Sequence, residues 1–216
     1  MKAFVRKIAL PVLLAAILLL AVRFLLLSHI VMSAGAPSSG KPSRQHAFVS
    51  LTWYGLRLPG ESLWSYHRLG YRQPEHGELL VYRLVGDNKS TAAVCRALPA
   101  DTVWIDPVRQ KVLPARTSPD AQPIVVPARH RKLRVTPYNA NLLAYLLRTF
   151  ENTRASVNSR RELLMNGRTL SSVSLAKDYY WLETSPSAYV LVPHDALVGK
   201  CFPVNFPPQR EKNAVR

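Results

Sequence analysis

The most continuous apolar stretch of the chain runs from Ile8 to Leu27, interrupted only by Pro11 and Arg23. A helix needs about 20 apolar residues to cross a bilayer, whereas the apolar part of a secretion signal is usually shorter. Arg23 lies near the end of the run, where a long side chain can reach the interface. The pattern favours a retained transmembrane anchor over residues 1–28, rather than a signal peptide cleaved at Ala34-Gly35-Ala36.

Basic residues precede this run, at Lys2, Arg6 and Lys7. Positive charges flanking a membrane helix stay on the cytoplasmic side, so the rest of the chain is expected to be exported. The segment that follows contains "SAGAPSSGKPSR", whose small, polar and proline residues are typical of a flexible connector. Residues 29–46 are therefore predicted to be a linker.

From Ala47 the apolar positions follow the short runs and alternation of β-strands. The segments "AFVSLTWYGLRLP", "GELLVYRLV", "TAAVCRA" and "VWID" predict successive strands, with a turn at Gly86-Asp87-Asn88. The proline-rich residues 107–127 predict a surface excursion. We expect one mainly β domain over residues 47–204, followed by a tail over 205–216.

Two segments give stronger local signals. In "TPYNANLLAYLLRTFEN", Leu142, Leu143, Leu146, Leu147 and Phe150 recur at helical spacing, and Asn139 or Asn141 can cap the helix. In "RELLMNGRTLSSVSL", Asn-Gly separates two β-prone runs, which predicts a hairpin. The expected fold is thus an anchor followed by antiparallel β-structure with one inserted helix.

Composition narrows the classes of function. Lysine and arginine number 29 against 13 acidic residues, a formal net charge of +16. Such a charge suits nucleic acid or an anionic membrane, but the basic residues are scattered and no nucleic-acid motif is present, so no nucleic-acid partner is predicted. The histidines, His67 among them, are not paired at metal-ligand spacing, and neither a metal nor a cofactor is predicted.

Three blocks, in order, resemble the type I signal peptidase family, and the stretches "SLWSYHR" and "VTPYNANLL" resemble the versions found in its Bacteroidetes-type members. "FVSLTWYGLRLP" is similar to the strand and loop that follow the family's nucleophile. "HGELLVYR" with "VCRALPADTVWID" is similar to its "GDIVVF" and "KRVVGLPGDTV" blocks. "DYYWLE" with "LVPHDALVGK" is similar to its last block, which usually ends in "VPEDNIVGKA". The resemblance extends from the anchor to about Lys200.

The resemblance implies antiparallel sheets after one or two membrane helices, and removal of signal peptides from exported precursors. It also implies a bacterial inner-membrane protein with its main domain in the periplasm. The family uses a serine nucleophile in a Ser-x-Met motif and a lysine base directly before the arginine of a Lys-Arg pair. Burial by apolar neighbours lowers the pKa of such a lysine, so that it can accept a proton.

The catalytic positions depart from the family pattern. The nucleophile-equivalent residue is Ala36 or Gly35, depending on the alignment, and the base-equivalent residue before Arg96 is Cys95. A thiol cannot replace a neutral amine as base unless its pKa is strongly depressed. Fallback candidates are Ser33 or Ser38 as nucleophile and Lys89 as base.

These departures leave the enzyme question open between two hypotheses. The first is a catalytically degenerate member that binds signal peptides or extended exported segments by strand addition, with Ala92, Ala93 and Val94 as the wall of the groove. The alternative is an active signal peptidase with a displaced nucleophile and base. A weaker third hypothesis makes Cys95 a nucleophile. A buried thiol or a Cys95–Cys201 disulfide is the more ordinary role for that cysteine in an oxidising compartment.

Overall fold

The computed structural model describes residues 11–19, 27–34, 43–57, 68–84, 86, 89–108, 111–113 and 116–203. Within these residues the chain is mainly β, with antiparallel pairing and two α-helices, as the sequence predicts. The chain divides into two compact units. Unit 1 comprises Met1–Gln73, Leu79–Val81 and Val198–Arg216, and unit 2 comprises Pro74–Glu78 and Tyr82–Leu197.

The secondary-structure elements are as follows in chain order. The first half contains α1 (11–19), β1 (Leu27–Ala34), β2 (Ser43–Ser50), β3 (Leu56–Arg57), β4 (Arg68–Leu69), β5 (Leu79–Tyr82), β6 (Thr91–Ala97), β7 (Thr102–Asp106) and β8 (Lys111–Leu113). The second half contains β9 (Gln122–Val125), β10 (Lys132–Arg134), α2 (Ala140–Phe150), β11 (Ala155–Val157), β12 (Leu163–Met165), β13 (Arg168–Leu170), β14 (Ser172–Ser174), β15 (Tyr179–Ser185), β16 (Ala188–Pro193), a 3₁₀ turn (His194–Ala196) and β17 (Leu197–Pro203).

In unit 1, hydrogen-bonded strands follow the order β1-β2-β17-β5, and β3 pairs with β4. The strands β2 and β17 approach very closely at Gly199. A Cβ atom there would lie 2.1 Å from the Ser50 carbonyl oxygen, so only glycine fits. This contact explains why the segment that resembles the family's final "VGK" needs a glycine in a strand, where the residue is otherwise unfavourable.

The structure agrees only in part with the predicted anchor over residues 1–28 and the predicted linker over residues 29–46. Residues 11–19 are helical and lie within the predicted anchor, but no helix of the described residues has the length and apolar character to span a bilayer. The predicted linker 29–46 contains most of β1 and the start of β2. These two strands pair antiparallel, with Leu27 opposite Ser50 at one end and Ala34 opposite Ser43 at the other. Its composition did not reveal that these segments could pair with each other, because strand pairing is a non-local contact.

In unit 2, the hydrogen-bonded orders are β6-β15-β16, β8-β7-β9, β11-β12-β13 and β10-β14. The predicted excursion 107–127 supplies β8 and β9, which pair with the two sides of β7. Helix α2 confirms the predicted periodicity, since Leu143, Leu146, Leu147 and Phe150 are buried in the core of this unit. Because tertiary packing stabilises most short helices, that apolar face fixes the position of α2.

Two local predictions can be compared with the backbone in detail. Asn166 and Gly167 both adopt positive φ, 51° and 80°, between β12 and β13, as a tight hairpin turn requires. Asn139 occupies the N-cap position of α2, but its side chain makes no capping bond to the helix. Instead its Oδ1 accepts a 2.7 Å hydrogen bond from the Thr136 amide, so this asparagine stabilises the preceding turn.

Candidate functional site

The strand β6 carries the residue that the family resemblance places at the general base. Burial alternates along it, with Ala93, Cys95 and Ala97 buried and Arg96 exposed. The Cys95 amide donates to the Glu78 carbonyl (2.9 Å), and its carbonyl accepts from the Gly77 amide (2.7 Å). On the other side β15 pairs with it, Leu182 being the partner of Cys95. At Cys95 both edges of β6 are therefore occupied by this chain's own backbone.

The Cys95 side chain lies in a site that disfavours ionisation. It is a free thiol with no exposed surface, and its Sγ is 3.9 Å from the Ala97 carbonyl oxygen. Burial raises its pKa to about 12, and the negative charges of Glu78 and Asp101 add to the effect. A thiol needs a depressed pKa to act as nucleophile or base near neutral pH. The environment of Cys95 has the opposite effect, so the thiol is suited to packing.

The other predicted residues are distributed as follows. Ala92 and Val94 are half-buried and Ala93 is buried. Lys89 lies just before β6 in unit 2, with an exposed side chain. Ser33 lies in β1 of unit 1, opposite Arg44.

Other positions predicted from the sequence lie outside the described residues, and the predicted Cys95–Cys201 disulfide can be checked directly. The positions outside are Gly35, Ala36, Ser38 and His67, together with Asp87 and Asn88 of the predicted turn. Cys201 is buried, and neither it nor Cys95 is in a disulfide, so the Cys95–Cys201 disulfide is not formed.

A cleft of about 550 Å³ opens in unit 2, beside β6. Its size is in the range of ligand sites. The lining comes from the strands β6, β7, β8, β15 and β16, from the turn after β6 and from the segment before β5. The residues are His76, Arg96, Ala97, Asp101, Thr102, Val103, Val112, Leu113, Trp181, Glu183 and Tyr189.

An ion pair and a histidine–carboxylate hydrogen bond flank this cleft. Arg96 Nε lies 2.5 Å from Glu183 Oε2, which joins β6 to β15 through side chains. His76 Nε2 lies 2.8 Å from Asp101 Oδ2, and the same oxygen accepts a hydrogen bond from the Leu98 amide (2.7 Å). Both contacts are partly exposed, so they contribute little to stability, but they place oriented polar groups along the cleft.

The aromatic part of the cleft consists of Trp181 on β15 and Tyr189 on β16, with ring centroids 5.9 Å apart. Trp181 is 7% exposed, and its buried Nε1 has no hydrogen-bond partner among the described residues. Burial raises the pKa of Tyr189, with Glu183 adding to the effect, so its hydroxyl remains a neutral donor and acceptor. A ligand in the cleft thus contacts Trp181 and the phenol of Tyr189, while the Trp181 N–H itself is buried in the free protein.

Tyr189 also connects the cleft to an open strand edge. In the order β6-β15-β16, β16 is the terminal strand of those described. A terminal strand presents main-chain donors and acceptors that an added extended chain can use. Among the described residues, no group of three or more His, Cys, Asp or Glu side chains could hold a metal ion.

The cleft residues were not selected as candidates from the sequence. Trp181 and Glu183 share one face of β15, because they are two residues apart in "DYYWLE". That alternation was a usable signal, but the cross-strand partners Arg96 and Tyr189 become neighbours only through the strand order β6-β15-β16. The alignment of one strand against another depends on both segments, so it cannot be predicted from the pattern of either one alone.

The described residues define a mainly β protein with a cleft beside the terminal strand β16. Comparison with protein-family models, with curated proteins and with solved structures found no match.

Proposed function

We propose that this protein is a signal-peptidase-like membrane protein of the secretory pathway that binds signal peptides or extended exported segments without cutting them. The observation that carries the proposal is the combination of a terminal strand, β16, with a residue on that strand, Tyr189, that lines the cleft. Strand addition provides main-chain affinity, and a neighbouring pocket provides selectivity for a side chain.

The environment of Cys95, the residue at the position of the family's lysine base, supports the part of the proposal that excludes cutting. Cys95 is buried, and its raised pKa keeps it protonated at neutral pH. A protonated thiol cannot remove a proton from a serine. Binding does not need that step, because main-chain hydrogen bonds and side-chain burial are independent of a general base.

The proposed position of binding differs from the one expected from the sequence, which was Ala92, Ala93 and Val94 of β6. The main-chain N–H and C=O of Cys95 are both bonded to the segment Gly77–Glu78, and β15 pairs along the opposite edge of β6. The open edge of β16 is therefore the better position for an added strand. The β6 residues then support the cleft from its inner side.

A binding assay tests this proposal on the full chain in detergent. The probe is a fluorescein-labelled synthetic signal peptide with an Ala-x-Ala site, followed by anisotropy. We expect Tyr189→Ala to weaken binding by about tenfold or more, since a buried aromatic anchor in an interface contributes about 2 kcal/mol. Tyr138→Ala is the matched control, because Tyr138 is exposed and does not line the cleft.

Mass spectrometry of the same mixtures tests the absence of cutting. An intact peptide after prolonged incubation is the expected result. Cleavage at the Ala-x-Ala site would overturn the non-catalytic proposal, and Ser33→Ala and Ser38→Ala would then identify the nucleophile. Equal binding by the wild-type chain and by Tyr189→Ala would instead overturn the position of the site.

A further inference from the structure

The strands β2 and β17 of unit 1 have one buried face and one outward face. Ala47, Val49 and Cys201 are buried. The alternate positions Phe48 and Phe202 are cross-strand partners and are 47% and 40% exposed. Since side chains two residues apart share a face of a strand, the Lys200 side chain lies on the same outward face as Phe202.

Trp53 completes this outward face. Its ring packs edge-on against Phe202, with centroids 5.5 Å apart. Lys200 Nζ lies 4.4 Å and Arg72 Cζ 5.0 Å from the centroid of the Trp53 ring. We call Phe48, Trp53, Arg72, Lys200 and Phe202 the aromatic–basic face.

The chemistry of this face matches the interface of a membrane. Tryptophan and phenylalanine rings at the surface cost free energy in water, and amphipathic aromatic rings favour the headgroup level of a bilayer. The two cations carry the charge that attracts anionic headgroups. Two further apolar side chains of the same unit, the cross-strand partners Leu56 and Leu69, are also exposed.

Two observations favour a bilayer over a protein as the occupant. The formal net charge of the chain is +16, which complements an anionic surface over a wide area. The apolar run Ile8–Leu27 belongs to the same unit and ends at the residue where β1 begins, so a segment with lipid affinity is close in the chain. Each observation concerns lipid rather than an extended peptide.

We propose that the aromatic–basic face docks on the surface of an anionic bilayer, with Phe48 and Phe202 at the acyl boundary and Lys200 and Arg72 at the headgroups. This docking is a second interaction of the protein and does not depend on peptide binding in the cleft of unit 2. It would hold unit 1 against the membrane by its side chains, in addition to any anchor.

Hydroxyl-radical footprinting of the full chain tests the proposal. The chain is incorporated into nanodiscs of phosphatidylcholine with or without phosphatidylglycerol, and oxidation is measured residue by residue. We expect Phe48 and Phe202 to be oxidised more slowly in the anionic nanodiscs. The exposed Tyr138 and Tyr145 of unit 2 provide references whose oxidation is expected to be the same in both.

Charge variants separate docking from general burial. Lys200→Gln is expected to reduce the docked population about fivefold, since one cation near an anionic surface contributes about 1 kcal/mol. Lys132→Gln removes an exposed lysine of β10 and is expected to leave protection unchanged. Raised salt is expected to mimic Lys200→Gln, because ions screen surface charge.

Three results would overturn the proposal. The first is equal oxidation of Phe48 and Phe202 in the two kinds of nanodisc. The second is protection that Lys200→Gln and salt do not change, which would indicate contact with another protein or a second copy. The third is elution of the chain apart from the nanodiscs. Peptide binding measured by anisotropy remains a separate readout, so failure of one proposal does not imply failure of the other.

Discussion

Trp53 in unit 1 and Trp181 in unit 2 share one unusual property and differ in nearly everything else. Each has a buried indole Nε1 with no hydrogen-bond partner among the described residues. Trp53 is half-buried between two cations and an exposed phenylalanine, Phe202. Trp181 is buried and packs beside Tyr189 in a cleft that contains Glu183 and Asp101.

The difference is the basis of the two separate binding proposals. A buried donor without a partner costs free energy, about 1–3 kcal/mol, unless a ligand satisfies it. Around Trp53 the cations and exposed rings suit a broad anionic and apolar surface. Around Trp181 the cleft is concave and is flanked by the Arg96–Glu183 ion pair, which is the basis for proposing a single segment of chain there. The following substitutions test whether these two regions act independently.

The largest effect is expected from Gly199→Ala, which acts on unit 1. The added methyl group would lie 2.1 Å from the Ser50 carbonyl oxygen, and a backbone atom cannot move aside by a rotamer change. We expect a loss of about 3 kcal/mol in the free energy of unfolding, as for severe overpacking. The measurement is denaturant unfolding followed by circular dichroism.

Gly77→Ala is the control for Gly199→Ala. Gly77 has a positive φ of 79° but open space around its Cβ position, so its cost is conformational rather than steric. We expect about 1 kcal/mol from the unfavourable backbone region. Equal losses for the two variants would show that the β2–β17 approach is looser than the structure indicates.

A smaller effect is expected from Trp181→Phe, which removes the N–H donor and keeps an aromatic ring. If that donor serves a bound chain, the peptide affinity falls about tenfold, as for loss of one buried hydrogen bond. Trp53→Phe is the matched variant, and its peptide affinity should equal that of the wild-type chain. Anisotropy with the labelled signal peptide provides the measurement.

Measuring the stability of Trp181→Phe as well as its peptide affinity distinguishes a packing role of Trp181 from a binding role. Because Nε1 of Trp181 is unsatisfied in the free protein, losing its N–H removes a desolvation cost that offsets part of the packing lost with the larger ring. A packing role alone would therefore give lower stability with unchanged affinity. A binding role gives lower affinity at nearly unchanged stability.

An effect confined to alkaline solution is expected at Cys95. Its folded-state pKa is raised from 9.0 to about 12, so its contribution to stability is complete below pH 9 and is lost as the pH rises towards 12. We expect the free energy of unfolding to fall less steeply over this window in Cys95→Ala than in the wild-type chain. Parallel slopes would contradict the burial of this thiol.

Much of the local structure followed from sequence periodicity. The helical spacing of Leu143, Leu146 and Phe150 and the Asn166-Gly167 turn predicted α2 and the β12–β13 hairpin, because both depend on neighbours in the chain. The strands β1, β8 and β9 were missed. The first lies across the predicted anchor and linker and the other two in the proline-rich excursion, and each is stabilised by pairing with a strand that the local pattern does not identify.

The candidate site could be predicted only in part. The base-equivalent position of Cys95 came from a resemblance, and its burial fits the alternation of β6. The cleft depends on Arg96, Glu183 and Tyr189, which come from three strands in one hydrogen-bonded order. Their proximity depends on register, and a one-residue slip would place each on the opposite face of the sheet.

The terminal position of β16 has a consequence for the behaviour of the protein at high concentration. An unpaired strand edge is a template for a second copy of the same chain as well as for a client, so self-association competes with binding. The strand is only six residues long, and Pro193 at its end lacks the amide hydrogen that would continue a ladder. Its brevity and that proline restrict the growth of aggregates while leaving room for a short peptide.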